Sequence, residues 1–335
     1  MKDLLRPPVL SIKAAFLDNA CLLGFYVQHP LCDADRLHRI IDTYKSVFAG
    51  RSVRPFLPRF SIVLKDNDQS LETSDIKLST SISPATLAQL QLETVLVGWK
   101  PLIRAGIKQT FSSSQQVQSS YRVSSSVINN FRLQAMENGQ RVTLNDLLMA
   151  FIWKASTASQ SWKQDSSHQT YPAFSFVLNI RRQIKQDTDL HNPWVIVQVP
   201  KPPHNSSLGV KNIIDLAAHI RETIRHARTT DCLRPIIDHH KRALGKPLML
   251  DTELLVTSWS HICLYKTDFQ LGKNPTIQPE YVQPFVRMPG LFRKLGMRIK
   301  NTVVTSQDGN GGFWIHGNLE EVVWGSLASI TSLIE

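Results

Sequence analysis

Apolar residues crowd two short runs near the start of the chain. VLSIKAAFL (9–17) and ACLLGFYVQ (20–28) are separated by the turn-prone pair Asp18-Asn19. Both are apolar nearly throughout, which predicts two strands covered on both faces. After Asp33 the period becomes helical: Leu37, Ile40, Ile41, Tyr44, Val47 and Phe48 form one stripe that stops at Gly50. Asp33 or Asp35 is placed to cap its first turn. Between 51 and 140 the signal weakens. RPFLPR is a proline-bounded loop, 65–90 is polar, and FSSSQQVQSSYRVSSS (111–126) reads as a crossover or linker. Regular patterning returns in VTLNDLLMAFIWKAS (142–156), a helix with Thr143 and Asp146 at capping-box spacing. Its predicted buried face is Leu147, Leu148, Phe151, Ile152 and Ala155. FSFVLNI (174–180) and WVIVQVP (194–200) predict core strands, and KNIIDLAAHIRETIRHA (211–227) a second amphipathic helix. TELLVTSW, RIKNTVV and GGFWIHGNL predict late strands, and LEEVVWGSL (319–327) a closing helix. With no internal repeat and no regular alternation, the pattern predicts an α/β or α+β fold in two parts.

Composition narrows the class. The 335 residues are 42% hydrophobic and 19% charged, and the mean hydropathy is -0.15. These values describe an ordinary globular chain long enough for two domains. No apolar run approaches a membrane span. The opening MKDLLRPPVLSIKAAF, broken by Arg6, Pro7, Pro8 and Lys13, lacks a signal-peptide layout, so a soluble cytoplasmic protein is expected. The four cysteines, Cys21, Cys32, Cys232 and Cys263, show no metal-ligand spacing and are expected to be buried free thiols. The net charge of +11 suits a polyanionic or phosphorylated partner. The basic residues form no long run, zinc-finger spacing or basic helix with interleaved aromatics, so nucleic acid is not expected. Trp99, Trp153, Trp194 and Trp324 are read as core packing.

HPLCD (29–33) is the HxxxD of the chain. Spacing alone leaves two readings. In one, Asp33 is a helix cap beside a structural histidine. In the other, His29 is a base held at a strand end, since a neutral imidazole accepts a proton near physiological pH. Asp33 would then hold the loop or buttress the ring.

The surrounding segments carry a resemblance. PPVLSIKAAFLDNACLLGFYVQHPLCDADRLHRIIDTY resembles the core of the BAHD family of acyl-CoA-dependent acyltransferases, particularly its fungal secondary-metabolism branch. VTLNDLLMAFIWKA, FVLNIRRQI, IIDLAAHIRETI and VTSWSHICLYKTDFQLGKNP resemble further family segments in the right order, the last leading to a DFGWG-like motif. The resemblance implies two chloramphenicol-acetyltransferase-like α/β domains with a channel between them. The expected boundaries are 1–115 for the remainder of the first domain and 116–335 for the second. It implies acyl-CoA as co-substrate, a small-molecule hydroxyl or amine acceptor, no resident cofactor or metal, and a monomer. His29 would be the general base. Asp33 would hold the loop through an internal ion pair, and Asp268 of DFQLG would pair with Arg181, with Gly272 shaping that loop. Thr257 and Trp259 are the oxyanion-donor candidates. Lys241, Arg242, Arg293 and Lys294 are candidates to attract the phosphates of coenzyme A.

The chain also departs from the family pattern. Gln270 and Leu271 stand where the family usually has Gly and Trp, and Ala34 replaces a glycine. HNPW (191–194) occupies the place of a YFGN-like segment. HxxxD comes early, so the first domain is expected to lack its opening strands and helix. These departures keep a second reading in view, a non-catalytic remnant or binding protein of the same fold. A condensation-type domain, which shares the fold, is disfavoured by Gln28 in place of a second histidine.

Overall fold

The computed structural model describes residues 10–27, 33–53, 116–159, 172–183, 194–200, 202, 210–235, 253–269, 278–284 and 300–332. Strands β1 (Leu10–Phe16) and β2 (Cys21–Val27) pair antiparallel, Phe16 opposite Cys21, across the Asp18-Asn19 turn. Both were expected to be covered on both faces. Instead Phe16 is 82% and Leu22 58% exposed. The hairpin is a two-stranded sheet on its own, with no flanking strand among the described residues, and it touches Tyr44 of the following helix and Phe269 through Phe25. Helix α1 (Ala34–Phe48) follows, with Asp33 as its N-cap.

The rest is one mixed six-stranded sheet backed by helices. Its strands are β3 (Gln116–Val123), β4 (Phe174–Asn179), β5 (Trp194–Gln198), β6 (Leu254–Ser258), β7 (Thr302–Gln307) and β8 (Phe313–Glu320). They lie in the order β3-β8-β7-β6-β4-β5. The β4–β6 and β6–β7 pairs are parallel and the others antiparallel. Segment 111–126, expected to be a linker, contains β3 and the start of a helix, α2 (Ser125–Glu137). Strand β3 lies at the sheet edge, where one apolar face suffices. Val117, Tyr121 and Val123 alternate with polar residues, so the serine-rich composition hid a period of two.

Helices α3 (Leu144–Ser156), α4 (Val210–Ala227) and α5 (Glu321–Ser332) pack with α2 on one face. Val123, Phe174, Phe176, Val256, Val303 and Ile315 turn toward them. α3 is the centre of this layer. It has the predicted capping box between Thr143 and Asp146, but it is buried from Asp146 to Ser156 all round rather than along one stripe. Trp153 stacks on Phe174 with ring centroids 4.9 Å apart and donates its indole N–H to the Pro172 carbonyl at 3.0 Å. That places Trp153 in the core, as read from the sequence. Asp146 is wholly buried and its Oδ2 accepts Arg221 Nε of α4 at 2.7 Å, so the cap also joins two helices.

Because side chains alternate across a strand, the remaining residues form a second face. Thr257, Val304, His316 and Ser120 stand in one row across β6, β7, β8 and β3. Asn179 ends β4 on the same face.

Candidate active site

Asp33 lies at the junction of hairpin and helix. One oxygen, Oδ1, accepts the Arg36 backbone N–H at 3.1 Å, which satisfies a donor that the first helical turn leaves unpaired. Both oxygens also accept from Arg181 Nη2, at 2.8 and 2.6 Å. Arg181 follows β4 on a 3-10 turn (Arg181–Gln183), and its own N–H donates to Asn179 Oδ1 at 2.9 Å. The ion pair is mostly shielded, the Asp33 side chain being 12% and that of Arg181 20% exposed.

Asp35 joins the same network. It was read from the sequence only as an alternative cap. Its Oδ2 accepts Arg181 Nη1 and, at 2.5 Å, Asn179 Nδ2. Its Oδ1 lies 2.6 Å from His261 Nε2. Burial pushes the Asp35 carboxyl up, but the His261 hydrogen bond and charge, the Arg181 charge and the Asn179 hydrogen bond outweigh it. The group is held below its ordinary value of 3.8. The two terminal nitrogens of Arg181 carry Asp33 and Asp35, which ties the turn after β4 to the aspartate of HPLCD and to the start of α1. Asn179 and His261 were not anticipated. His261 lies two residues beyond Trp259, in a segment read only for its oxyanion candidates.

Thr257 is on β6, facing away from the helices. Trp259 follows the strand, and its backbone N–H donates to the Thr305 carbonyl at 2.7 Å. Ser260 Oγ reaches Asn145 Oδ1 of α3 at 3.4 Å, so the TSWSH segment is tied to the helix layer. Asp268 is half-buried, next to Phe269, whose ring stacks on Phe25 of β2 at 6.3 Å and 19°. Two N-terminal elements thus meet loops that follow strands of the second sheet, α1 through Asp33 and Asp35 on Arg181 and the hairpin through Phe25 on Phe269.

His29, Cys32, Trp99, Gly272, Lys241, Arg242, Arg293 and Lys294 lie outside the described residues. Cys21 and Cys263 are exposed and Cys232 half-buried, all with free thiols, so the expected burial of the cysteines is not found at these three. Cys21 is on the uncovered hairpin and Cys263 in a surface turn. Among the described residues no group of histidines, cysteines and carboxylates could hold a metal ion. No described helix is long and apolar enough to cross a membrane.

A mixed sheet with helices on one face, locked to a hairpin and helix by an arginine between two carboxylates, defines an α/β protein of the chloramphenicol-acetyltransferase-like class. Solved structures of that class superpose on it. TRI101 of F. sporotrichioides, complexed with coenzyme A and T-2, has a TM-score of 0.61 at 13% identity and covers 96% of this chain and 68% of its own. Vinorine synthase has a TM-score of 0.60 at 15% identity, covering 98% and 66%. Residues 2–288 match the Transferase family, and the chain belongs to that family, the BAHD acyltransferases. The omega-hydroxypalmitate O-feruloyl transferase of Arabidopsis thaliana is 22% identical over 295 residues, 82% of this chain. The chain spans 57% of the length of that relative.

Proposed function

We propose that this protein transfers an acyl group, acetyl in the simplest case, from acyl-CoA to a hydroxyl of a secondary metabolite, with His29 as general base. The observation that carries this reading is the commitment of Asp33 to Arg181 and to the cap of α1. Its carboxylate is occupied in holding the loop, which leaves the imidazole as the base of HPLCD. The coenzyme A in the TRI101 complex supports acyl-CoA as co-substrate.

In the proposed reaction the His29 imidazole takes the acceptor's hydroxyl proton as the oxygen attacks the thioester carbonyl. The tetrahedral intermediate carries its negative charge on the former carbonyl oxygen. It collapses with loss of the coenzyme A thiolate, which recovers the proton from the imidazolium. Thr257 and Trp259 are the proposed donors to the oxyanion. The Trp259 backbone N–H is already used by Thr305, so its indole N–H is the one left to serve. Asp33 and Arg181 position the loop, with Asp268 and Gly272 supporting the site. No resident cofactor is required, because the thioester is already an activated acyl donor. Lys241, Arg242, Arg293 and Lys294 attract the coenzyme's phosphates. The protein acts as a cytoplasmic monomer.

Replacing His29 by Ala tests the assignment. Acyl-CoA-dependent transfer is expected to fall by about 10²- to 10⁴-fold, the usual worth of a positioned base, with the thermal transition unchanged. Undiminished turnover would remove His29 from the mechanism. No transfer by the unaltered chain to any hydroxyl or amine would favour the non-catalytic reading, for which the DFQLG sequence gives a motive.

A further inference from the structure

Beyond Thr257 the second face of the sheet has features that the proposed chemistry leaves unused. His316 on β8 is 2% exposed, and its Nε2 is buried with no hydrogen-bond partner among the described residues. Ser306 on β7 is 3% exposed, and its Oγ is in the same condition. Both point to this face, because Val304 is directly opposite His316 and Trp314 directly opposite Ser306. Native proteins seldom leave two buried polar groups side by side without partners, since each forfeits its bonds to water.

The surroundings are aromatic. Trp314 stacks on the His316 ring with centroids 5.8 Å apart and planes 16° apart. Tyr281 stands edge-on to both, at 5.5 Å from Trp314 and 6.3 Å from His316. Tyr281 is half exposed on the irregular segment 278–284. Side-chain bonds behind the histidine hold its ring in place. Gln283 Nε2 donates to Ser120 Oγ at 3.4 Å, and Ser120 Oγ lies 2.8 Å from His316 Nδ1. The serine hydroxyl can donate to Nδ1 or accept from it, so this bond is satisfied by either ring tautomer. The unpartnered Nε2 is the donor in one tautomer and the acceptor in the other, and a ligand hydroxyl can meet it in both. Burial lowers the His316 pKa to about 4, so the ring stays uncharged at neutral pH and does not select for a carboxylate.

We propose that the patch bounded by His316, Ser306, Trp314 and Tyr281 is a subsite for the far end of the acyl acceptor, a neutral ring compound that carries an oxygen there. This rests on the acyltransferase reading, because it places the reacting hydroxyl near Thr257. His316 is two strands from Thr257 in the same row, a span of about 10 Å at the usual strand spacing, which matches several fused rings. Trp314 and Tyr281 bind the ring faces, and His316 Nε2 and Ser306 Oγ hydrogen-bond the hydroxyl at that end.

Estradiol, with oxygens at opposite ends of four fused rings, and its analogue lacking the D-ring hydroxyl serve as probes. Their binding is measured by calorimetry in the presence of coenzyme A, and acyl transfer is measured separately. The unaltered protein is expected to bind estradiol about tenfold more tightly than the analogue, the worth of one buried hydrogen bond. His316→Phe is expected to abolish that preference and leave the analogue's affinity unchanged, whereas Tyr281→Ala weakens both probes alike. Should His316→Phe lose its cooperative melt, Ser306→Ala carries the test, with a reduced preference expected. Equal binding of the two probes, no binding of either, or a preference that survives these substitutions overturns the subsite. Discriminating binding without any acyl transfer would keep the subsite and reject the catalytic reading. Transfer to other alcohols without discrimination would do the reverse.

Discussion

Asp33 answers two demands with one carboxylate, since the helix start needs an acceptor and Arg181 needs a counter-charge. Asp35, two residues on, links Arg181, Asn179 and His261. Its folded-state pKa lies below 3.8, so its stabilising share is present above that value and is lost as pH falls through the lowered one. Asp35→Asn keeps the shape but removes the charge. We expect it to cost about 2 kcal/mol at pH 7, the usual worth of hydrogen bonds to a charged group. The gap to the unaltered protein should narrow below about pH 4. Urea unfolding across that range checks this, and a gap independent of pH would mean that Asp35 stabilises the junction only by its shape. The division of labour at this site was partly visible beforehand. A strand, a histidine and a capping aspartate can be read from local spacing, whereas the ion pair of Asp33 was implied by the family resemblance. The bond from Asp35 to His261 joins residues 226 apart, and no local period encodes such a pairing.

Helix α3 shows what a strong local signal can specify. Its capping box and apolar spacing placed it within two residues of the observed start. Its burial on all sides was not legible, because α2, α4 and α5 come from other parts of the chain to surround it. The hairpin is the converse case: an apolar sequence predicted cover, but cover is a property of neighbours. Between β7 and β8 the spacing leaves no room for a side chain at Gly317, where a Cβ would lie 2.4 Å from the Thr302 carbonyl oxygen. Gly317→Ala should force the strands apart and cost about 2 to 3 kcal/mol in urea unfolding, the upper part of the usual range of about 1 to 3 for overpacking. Gly325 in α5 is the control, since a Cβ there meets nothing within 4 Å. Gly325→Ala should stabilise by about 0.5 to 1 kcal/mol, as alanine does inside a helix. Equal effects at the two positions would remove the close approach of β8 to β7 as the cause.

The molecule as a whole divides its sheet by chemistry, with helices and apolar side chains on one face and hydroxyls, imidazole and the carboxylate junction on the other. A ligand that binds only the assembled protein raises its stability by mass action. Coenzyme A at a hundredfold excess over its Kd should therefore add about 2.7 kcal/mol and raise the thermal midpoint of a single cooperative transition. A broad transition indifferent to coenzyme A would reject its binding to this chain. The strand order also bears on how the protein is made. Ser120 lies against His316, 196 residues later, because β3 has β8 as its neighbour. At roughly 5 to 20 residues per second, the ribosome takes about 10 to 40 s to supply the second from the first. Over that interval the growing chain exposes a serine-rich edge and the apolar residues beneath it.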